Sequence, residues 1–445
     1  MTVSPTNGRT LVYGLGESGI SSIRALQAAG VETLAADSQD DESLRRVAAG
    51  LDFATTLGAG PEVLEGVERV VVSPGVRPSD AVLRAAGERG VPVLSEVAFG
   101  LKLLGGDVRV SAVTGTNGKT TVADMTAGML DAAGLPNVLA GNSWRALTGC
   151  ADEVREAGRL VLEVSSFQLH YLPEPGFEAA ALLNVRPDHL NWHASFDEYV
   201  RDKLTVFAGQ KASDLALVSA TDEVGRGAVP GLRARTVVVG EGETLVTGGG
   251  ELVVRGERIV RAEELPFGGP HNLENALFAA SGAVKLGAGI EAVREGLLAY
   301  GPKPHRIQVV ERSSGITWVD DSKATNPAAV VAALLSFRGR SVVLILGGSE
   351  KKTDFAEVEP YLGGCRAVVC CGESGPRLFR WLEGIGFGER ATLADGLGDA
   401  VKAAKATARS GDVVLLSPGC ASFDEFSGYA ERGDVFARLA RVGSV

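Results

Sequence analysis

Along the chain, short β-branched runs alternate with amphipathic stretches. That alternation predicts βαβ units with parallel sheets, hence an α/β protein. Three apolar runs end in a glycine-rich turn. Thr10-Leu-Val-Tyr-Gly14 leads into a helical stretch reaching Gly30. Val108-Arg-Val-Ser-Ala-Val-Thr114 leads into a helix from about Lys119, and Val342-Val-Leu-Ile-Leu346 ends at Gly347-Gly348. The turn-rich segments Gly105-Gly106-Asp107 and Gly301-Pro302-Lys303-Pro304 predict domains over 1–106, 107–302 and 303–445. Val237–Arg261 reads as short strands with glycine turns, a small antiparallel excursion inside the middle domain.

Composition agrees with about three domains at ~150 residues each. Hydrophobic residues make up 45% and charged residues 22%, enough apolar material for several cores. The net charge of −11 argues against a general nucleic-acid binder, because an acidic surface repels a phosphate backbone. Five cysteines, Cys150, Cys365, Cys370, Cys371 and Cys420, include no C-x-x-C pair. They fit free thiols in a reducing cytoplasm. No apolar run approaches the ~20 residues of a membrane span, so a cytoplasmic protein without membrane partners is expected.

The first glycine turn, Gly14-Leu-Gly16-Glu-Ser-Gly19, follows a strand and opens a helix, with Asp37 ending the next strand. That pattern predicts a Rossmann-like domain. This favours a nucleotide-like ligand over a tight turn that needs glycine only for close packing. Ser73-Pro-Gly75 follows the strand Val70-Val-Val72 and is placed to line the same crevice.

The second turn is more specific. Ala112-Val-Thr-Gly115-Thr116-Asn117-Gly118-Lys119-Thr120-Thr121 fits a P-loop, with alanine where glycine is commoner. Its glycines let N–H groups face phosphate oxygens, and the helix N-terminus adds its positive dipole end. Lys119 neutralises phosphate charge and the Thr120 hydroxyl suits Mg²⁺. A lysine there without an anion would be costly. A second hard-oxygen ligand is needed, and Glu163 ends the apolar run Arg159-Leu-Val-Leu.

Ser195-Phe-Asp-Glu198 has capping-box spacing. The following helix puts Phe196, Tyr199, Val200, Leu204 and Phe207 on one stripe, and Lys203 falls on it too. Such a lysine either snorkels to water or is neutral and nucleophilic when buried. A neutral amine can take up CO₂ as a carbamate, an anion able to hold a second Mg²⁺. Asp188-His189 and His193 lie just upstream. In the last third, Asp320-Asp321-Ser-Lys323-Ala-Thr325-Asn326, Lys351-Lys352 and Ser417–Asp424 occupy predicted strand ends, and His305-Arg306 follows the linker. Together they suggest a small anionic substrate.

Across nearly its whole length the chain resembles the Mur ligases of peptidoglycan synthesis, most closely the branch that adds D-glutamate. The likeness rests on Gly115-Thr-Asn-Gly-Lys-Thr-Thr121, Glu163-Val-Ser-Ser-Phe-Gln168 and Leu183-Asn-Val-Arg-Pro-Asp-His189. It also rests on His271-Asn-Leu-Glu-Asn275, Asp320-Asp-Ser-Lys-Ala-Thr-Asn326 and Ser417-Pro-Gly-Cys-Ala-Ser-Phe-Asp424. The resemblance implies a monomeric ATP- and Mg²⁺-dependent ligase acting on UDP-N-acetylmuramoyl-L-alanine and D-glutamate. By position it implies that Glu17, Ser18, Asp37 and Ser73 face the uridine diphosphate. Asn142 and His189 would contact substrate or metal, and Thr120, Glu163 and Lys203 would hold Mg²⁺. Asn272, Asn275, Arg306, Asp321 and Lys323 would surround ATP. Thr325, Lys351, Ser422 and Phe423 would hold the amino acid. Lys119, Lys203, His189 and Arg306 would be the catalytic set. Asp37 is followed by Ser38-Gln39, with no basic residue. Related ligases, including folylpolyglutamate synthases, share the ATP-site pattern; a nicotinamide oxidoreductase and a nucleotide switch are the readings from other classes.

Overall fold

The computed structural model describes residues 8–51, 55–190, 192–301, 304–350 and 353–441. Two compact units are present: residues 1–265 with 273–300, and residues 266–272 with 301–445.

Inside the first unit, the apolar runs form two parallel sheets. Thr10–Tyr13 lies at the centre of a five-stranded sheet, between Thr33–Asp37 on one side and Arg69–Val72 on the other. Thr55–Leu57 and Val93–Ser95 form its edges. The second sheet has six strands in the order Arg235–Val239, Leu215–Ser219, Ala179–Leu182, Arg109–Thr114, Arg159–Glu163 and Val138–Gly141. Its central strands are buried on both faces, which explains why small and apolar residues dominate them. The helix Lys119–Ala132 packs Val122, Met125 and Met129 inward.

The two sheets share a core. Leu94, Val97 and Ala98 belong to one cluster with Leu147, Val154 and Leu162. Gly100 on the helix Glu96–Leu104 sits so close that a Cβ would lie 2.7 Å from Leu147 Cγ. Buried Glu96 accepts the Thr148 N–H at 2.6 Å, and burial raises its pKa.

The segment Val237–Arg261 departs from expectation. Leu245–Val246, Glu251–Val254 and Glu257–Arg261 do make a small antiparallel sheet. Arg235–Val239, however, pairs in parallel with Leu215–Ser219 as the edge of the main sheet. Alternation alone does not distinguish the two pairings, because a short half-covered edge strand shows the same pattern.

The second unit holds a six-stranded sheet in the order Gln308–Ser313, Ile316–Asp320, Val413–Leu416, Val342–Gly347, Cys365–Cys371 and Ala391–Leu393. Only its first pair is antiparallel. Separate apolar clusters cover its two faces. All five cysteines are buried and free.

Candidate active site

The glycine turn after Arg109–Thr114 needs unusual backbone. Gly118 has φ +90°, and a Cβ there would lie 2.7 Å from Asn275 Oδ1. Only glycine reaches that conformation without strain. Lys119 Nζ curls back to donate to the carbonyls of Gly115 and Thr116 at 2.8 and 2.9 Å. Asn117 N donates to Asn184 Oδ1 at 2.9 Å, and the Thr116 N–H donates to the Asn184 carbonyl at 2.8 Å. The Thr116 hydroxyl lies 2.9 Å from Tyr199 Oη. Thr120 and Thr121 start the helix and are buried.

Glu163 is fully buried at the end of its strand. Asn142 Nδ2 and Ser143 Oγ donate to its Oε1 at 3.2 and 2.8 Å, and Trp144 Nε1 donates to its Oε2 at 3.0 Å. Thr120 Oγ1 donates to Ser143 Oγ at 3.4 Å. A chain of hard oxygens therefore runs from Thr120 through Ser143 to Glu163. This donor set fits Mg²⁺, which prefers carboxylate, hydroxyl and water oxygens.

Lys203 is 2% exposed, so it does not snorkel. Its Nζ donates to the Gly115 carbonyl at 2.8 Å and lies 4.8 Å from the Tyr199 ring centroid. Lys119 uses the same carbonyl. Burial pushes the Lys203 amine well below its ordinary pKa, Lys119 pushes the same way, and Asp188 opposes. The helix carrying it, Phe196–Leu204, is capped by the Ser195 hydroxyl, which accepts the Glu198 N–H at 3.1 Å. The expected box is incomplete: the Glu198 carboxylate reaches one residue further back, to the Ala194 N–H at 2.5 Å.

His189 has φ +55° and half-exposes its ring, edge-on to Phe167 at 4.8 Å. The loop around it is braced by buried Asp222, which accepts from Val185 N at 3.0 Å and Arg186 Nη1 at 2.8 Å. His193 is buried, with Nε2 2.9 Å from Ser166 Oγ. Trp192 Nε1 donates to the Pro74 carbonyl at 3.0 Å, linking this loop to the first sheet.

A cleft of about 760 Å³ opens beside the first glycine turn. Glu17, Ser18, Asp37 and Ser73 all line it. Asp37 accepts the N–H groups of Leu15 and Gln39 at 2.9 and 3.0 Å. Ser73 Oγ donates to the Gly14 carbonyl at 2.6 Å.

The second unit gathers its own set. Asp321 is buried, and burial raises its pKa to about 7 against hydrogen bonds from Ser417 and Ile307. Its neighbour Asp320 accepts from Ser322 N at 2.9 Å and lies 2.7 Å from His305 Nδ1. Arg306 sits between His305 and Ile307, both in the left-handed region. Lys323 Nζ lies 5.0 Å from the Tyr429 ring centroid. Thr325 is half-buried just before the helix Pro327–Ser336, Ser422 is buried, and Phe423 is three-quarters exposed. Asn272 donates to the Gly268 carbonyl at 2.9 Å. It precedes Asn275 by one turn on the helix Pro270–Lys285. Lys351 and Lys352 lie outside the described residues.

Several residues in these networks escaped sequence reading. Ser143, Trp144 and Asn184 bind partners more than fifteen positions away. Arg432 is buried on the helix Tyr429–Arg441 and donates to Ser322, Cys420 and Ala421.

Three family models match the chain. They are the Mur ligase MurD-like N-terminal domain over 8–95, the Mur ligase middle domain over 113–283 and the Mur ligase glutamate ligase domain over 305–420. The UDP-N-acetylmuramoylalanine–D-glutamate ligase of Rubrobacter xylanophilus is 66% identical, covering 97% of this chain and 98% of that protein. The enzyme of the same name from Streptomyces coelicolor is 36% identical, with 97% of each chain covered. Among solved structures, MurF of Acinetobacter baumannii matches with a TM-score of 0.62 at 18% identity, covering 92% of this chain and 90% of that one. UDP-N-acetylmuramate-alanine ligase MurC of Thermotoga maritima matches with a TM-score of 0.59 at 20% identity, covering 97% and 99%. At such identities these two show a common fold. No helix among the described residues is long and apolar enough to cross a membrane.

Proposed function

The chain belongs to the Mur ligase family, and from that premise we propose that it joins D-glutamate to UDP-N-acetylmuramoyl-L-alanine at the expense of ATP, in the cytoplasm. The carboxylate of the alanyl group attacks the γ-phosphorus and ADP leaves. The amine of D-glutamate then attacks the acyl carbon, and inorganic phosphate departs as the amide forms. No protein nucleophile is required; the protein positions three ligands and stabilises charge.

The observation that carries the ATP half is the oxygen chain Thr120–Ser143–Glu163 set against the glycine turn and Lys119. Bound there, Mg²⁺ would neutralise phosphate charge. Lys119 and Thr120 would meet the phosphates, and Asn275 the nucleoside. The buried, deprotonation-prone Lys203 amine suits a carbamate able to hold a second Mg²⁺. Glu17, Ser18, Asp37 and Ser73 would hold the UDP group, with Asn142 and His189 nearer the sugar. Asn272, Arg306, Asp321 and Lys323 would close on ATP, and Thr325, Lys351, Ser422 and Phe423 on D-glutamate, in a protein acting as a monomer. The choice of substrates rests on the names of the full-length relatives.

The test is phosphate release from Mg-ATP with UDP-N-acetylmuramoyl-L-alanine and a panel of amino acids. D-glutamate should support turnover, and Lys119→Ala should lose it. Turnover with a diamino acid and none with D-glutamate would overturn the assignment.

A further inference from the structure

The charged residues lining the cleft beside the first glycine turn are mostly acidic. Glu17, Asp37, Asp41 and Asp80 line it, and Arg77 is the only cationic side chain among its described lining residues. Three of the four carboxylates are already committed to backbone. Asp37 accepts from Leu15 N and Gln39 N, Asp41 from Leu44 N, and Asp80 from Val82 N and the Tyr13 hydroxyl. Arg77 is exposed, and no described carboxylate pairs with it. The lining therefore holds one uncommitted guanidinium facing the same space as four carboxylates.

Placement gives that guanidinium a task. The strands ending at Asp37 and Val72 flank the central strand on opposite sides. Asp37 thus stands on one wall of the crevice, and the Ser73–Asp80 turn carrying Arg77 forms the other. The helix Glu17–Ala28 starts between them at Gly16, and no side chain caps it. Its first N–H groups provide partial positive charge but no full one. An anionic ligand entering here meets four carboxylates and needs a compensating cation. The residues after Asp37, Ser38 and Gln39, carry none.

We propose that Arg77 is the diphosphate-binding cation of this cleft, supplied from the wall opposite Asp37, and that it selects nucleoside diphosphates over uncharged nucleosides. The proposal rests on the reading of this cleft as the UDP site. A guanidinium matches two phosphate oxygens in one plane, which a point charge does not.

The experiment is titration calorimetry of full-length wild type, Arg77→Ala and Arg77→Lys with UDP and, separately, with uridine. Arg77→Ala should weaken UDP by about 10- to 100-fold, the usual effect of losing a charge-assisted pair. Uridine should bind both proteins equally, and Arg77→Lys should recover part of the loss. In turnover, the loss should fall on KM for the UDP-linked substrate and leave KM for ATP in place. Equal UDP affinity in wild type and Arg77→Ala overturns the role of Arg77 while the cleft assignment stands. Equal weakening of UDP and uridine also overturns it, because the effect would then be structural. A wild type that binds no UDP overturns the cleft assignment itself, and the Arg77 proposal with it.

Discussion

Lys203 separates stability from activity, and Lys203→Met exposes the difference. Methionine has similar length and no charge, so it fills the same apolar site. The lost hydrogen bond to the Gly115 carbonyl is worth about 1 kcal/mol. That carbonyl keeps Lys119 as a donor at 2.8 Å, so no buried acceptor is orphaned. Against the loss stands the burial of an amine. Each pKa unit by which the fold lowers Lys203 corresponds to about 1.4 kcal/mol against the charged form. The direction is strongly downward. In the window between the depressed folded pKa and the ordinary 10.5, the unfolded chain holds a proton that the folded chain lacks. Wild-type stability therefore rises with pH through that window and is lost as pH falls through it. Lys203→Met should lack this slope. Urea melts at several pH values should show the variant within about 1 kcal/mol of wild type, or above it, near pH 7. Its relative advantage should shrink toward pH 10. Phosphate release with all substrates should fall at least about 100-fold, the scale of losing a charge-stabilising group. A variant several kcal/mol less stable at pH 7, or one that keeps normal turnover, would refute the reasoning.

Other substitutions test separate pieces. Gly118→Ala forces a side chain into φ +90° and toward Asn275 Oδ1; it should cost roughly 1–3 kcal/mol in melts and weaken ATP binding measured by calorimetry. Arg432→Met removes four hydrogen bonds to Ser322, Cys420 and Ala421 and strands the Ser322 and Cys420 carbonyls, while the Ala421 carbonyl keeps the Ser349 N–H at 2.9 Å. It should lower stability by about 3 kcal/mol or more, and a loss below 1 kcal/mol would show that water replaces the guanidinium. Asp321 has a folded pKa of about 7 against an ordinary 3.8. Its ionisation therefore makes stability fall as pH rises from about 4 to about 7, by at most about 4 kcal/mol, with no further change above. Asp321→Asn should flatten that slope in pH-dependent melts; an unchanged slope would mean another group titrates there.

What the sequence made legible was local. The P-loop could be read because its strand, glycines, lysine and helix are contiguous, and Gly118 takes the left-handed conformation that spacing demands. Lys203 could be read because one helix stripe carries both it and Tyr199, although the stripe left open whether the amine was wet or dry. Burial at 2% decides that. The end of the strand Arg159–Glu163 pointed to Glu163 but not to its partners. Ser143 and Trp144 follow a different strand, Val138–Gly141, which becomes the neighbour of Arg159–Glu163 only when the sheet is assembled. Arg432 was hidden for the opposite reason. Its helix reads as an ordinary charged segment, and nothing in the surrounding Glu431 and Asp434 distinguishes a buried guanidinium from a solvated one.

The same contrast separates the two ligand regions of the first unit. Around the P-loop two buried acceptors are satisfied by protein donors: Glu163 by three, Gly115 O by two amines. Such a site is preorganised, so its geometry changes little when charge arrives. In the first cleft three of the four carboxylates are fixed by backbone N–H groups, while Arg77 is exposed and no described carboxylate pairs with it. A fixed wall and one exposed cation suit recognition, where affinity must be gained on binding, better than chemistry, where positions must be set beforehand. Substitutions in the cleft should therefore move KM, and substitutions around Glu163 and Lys203 should move kcat. Steady-state kinetics of Arg77→Ala beside Glu163→Gln would test that division: if both variants changed only KM, the preorganisation argument for the P-loop region would fail.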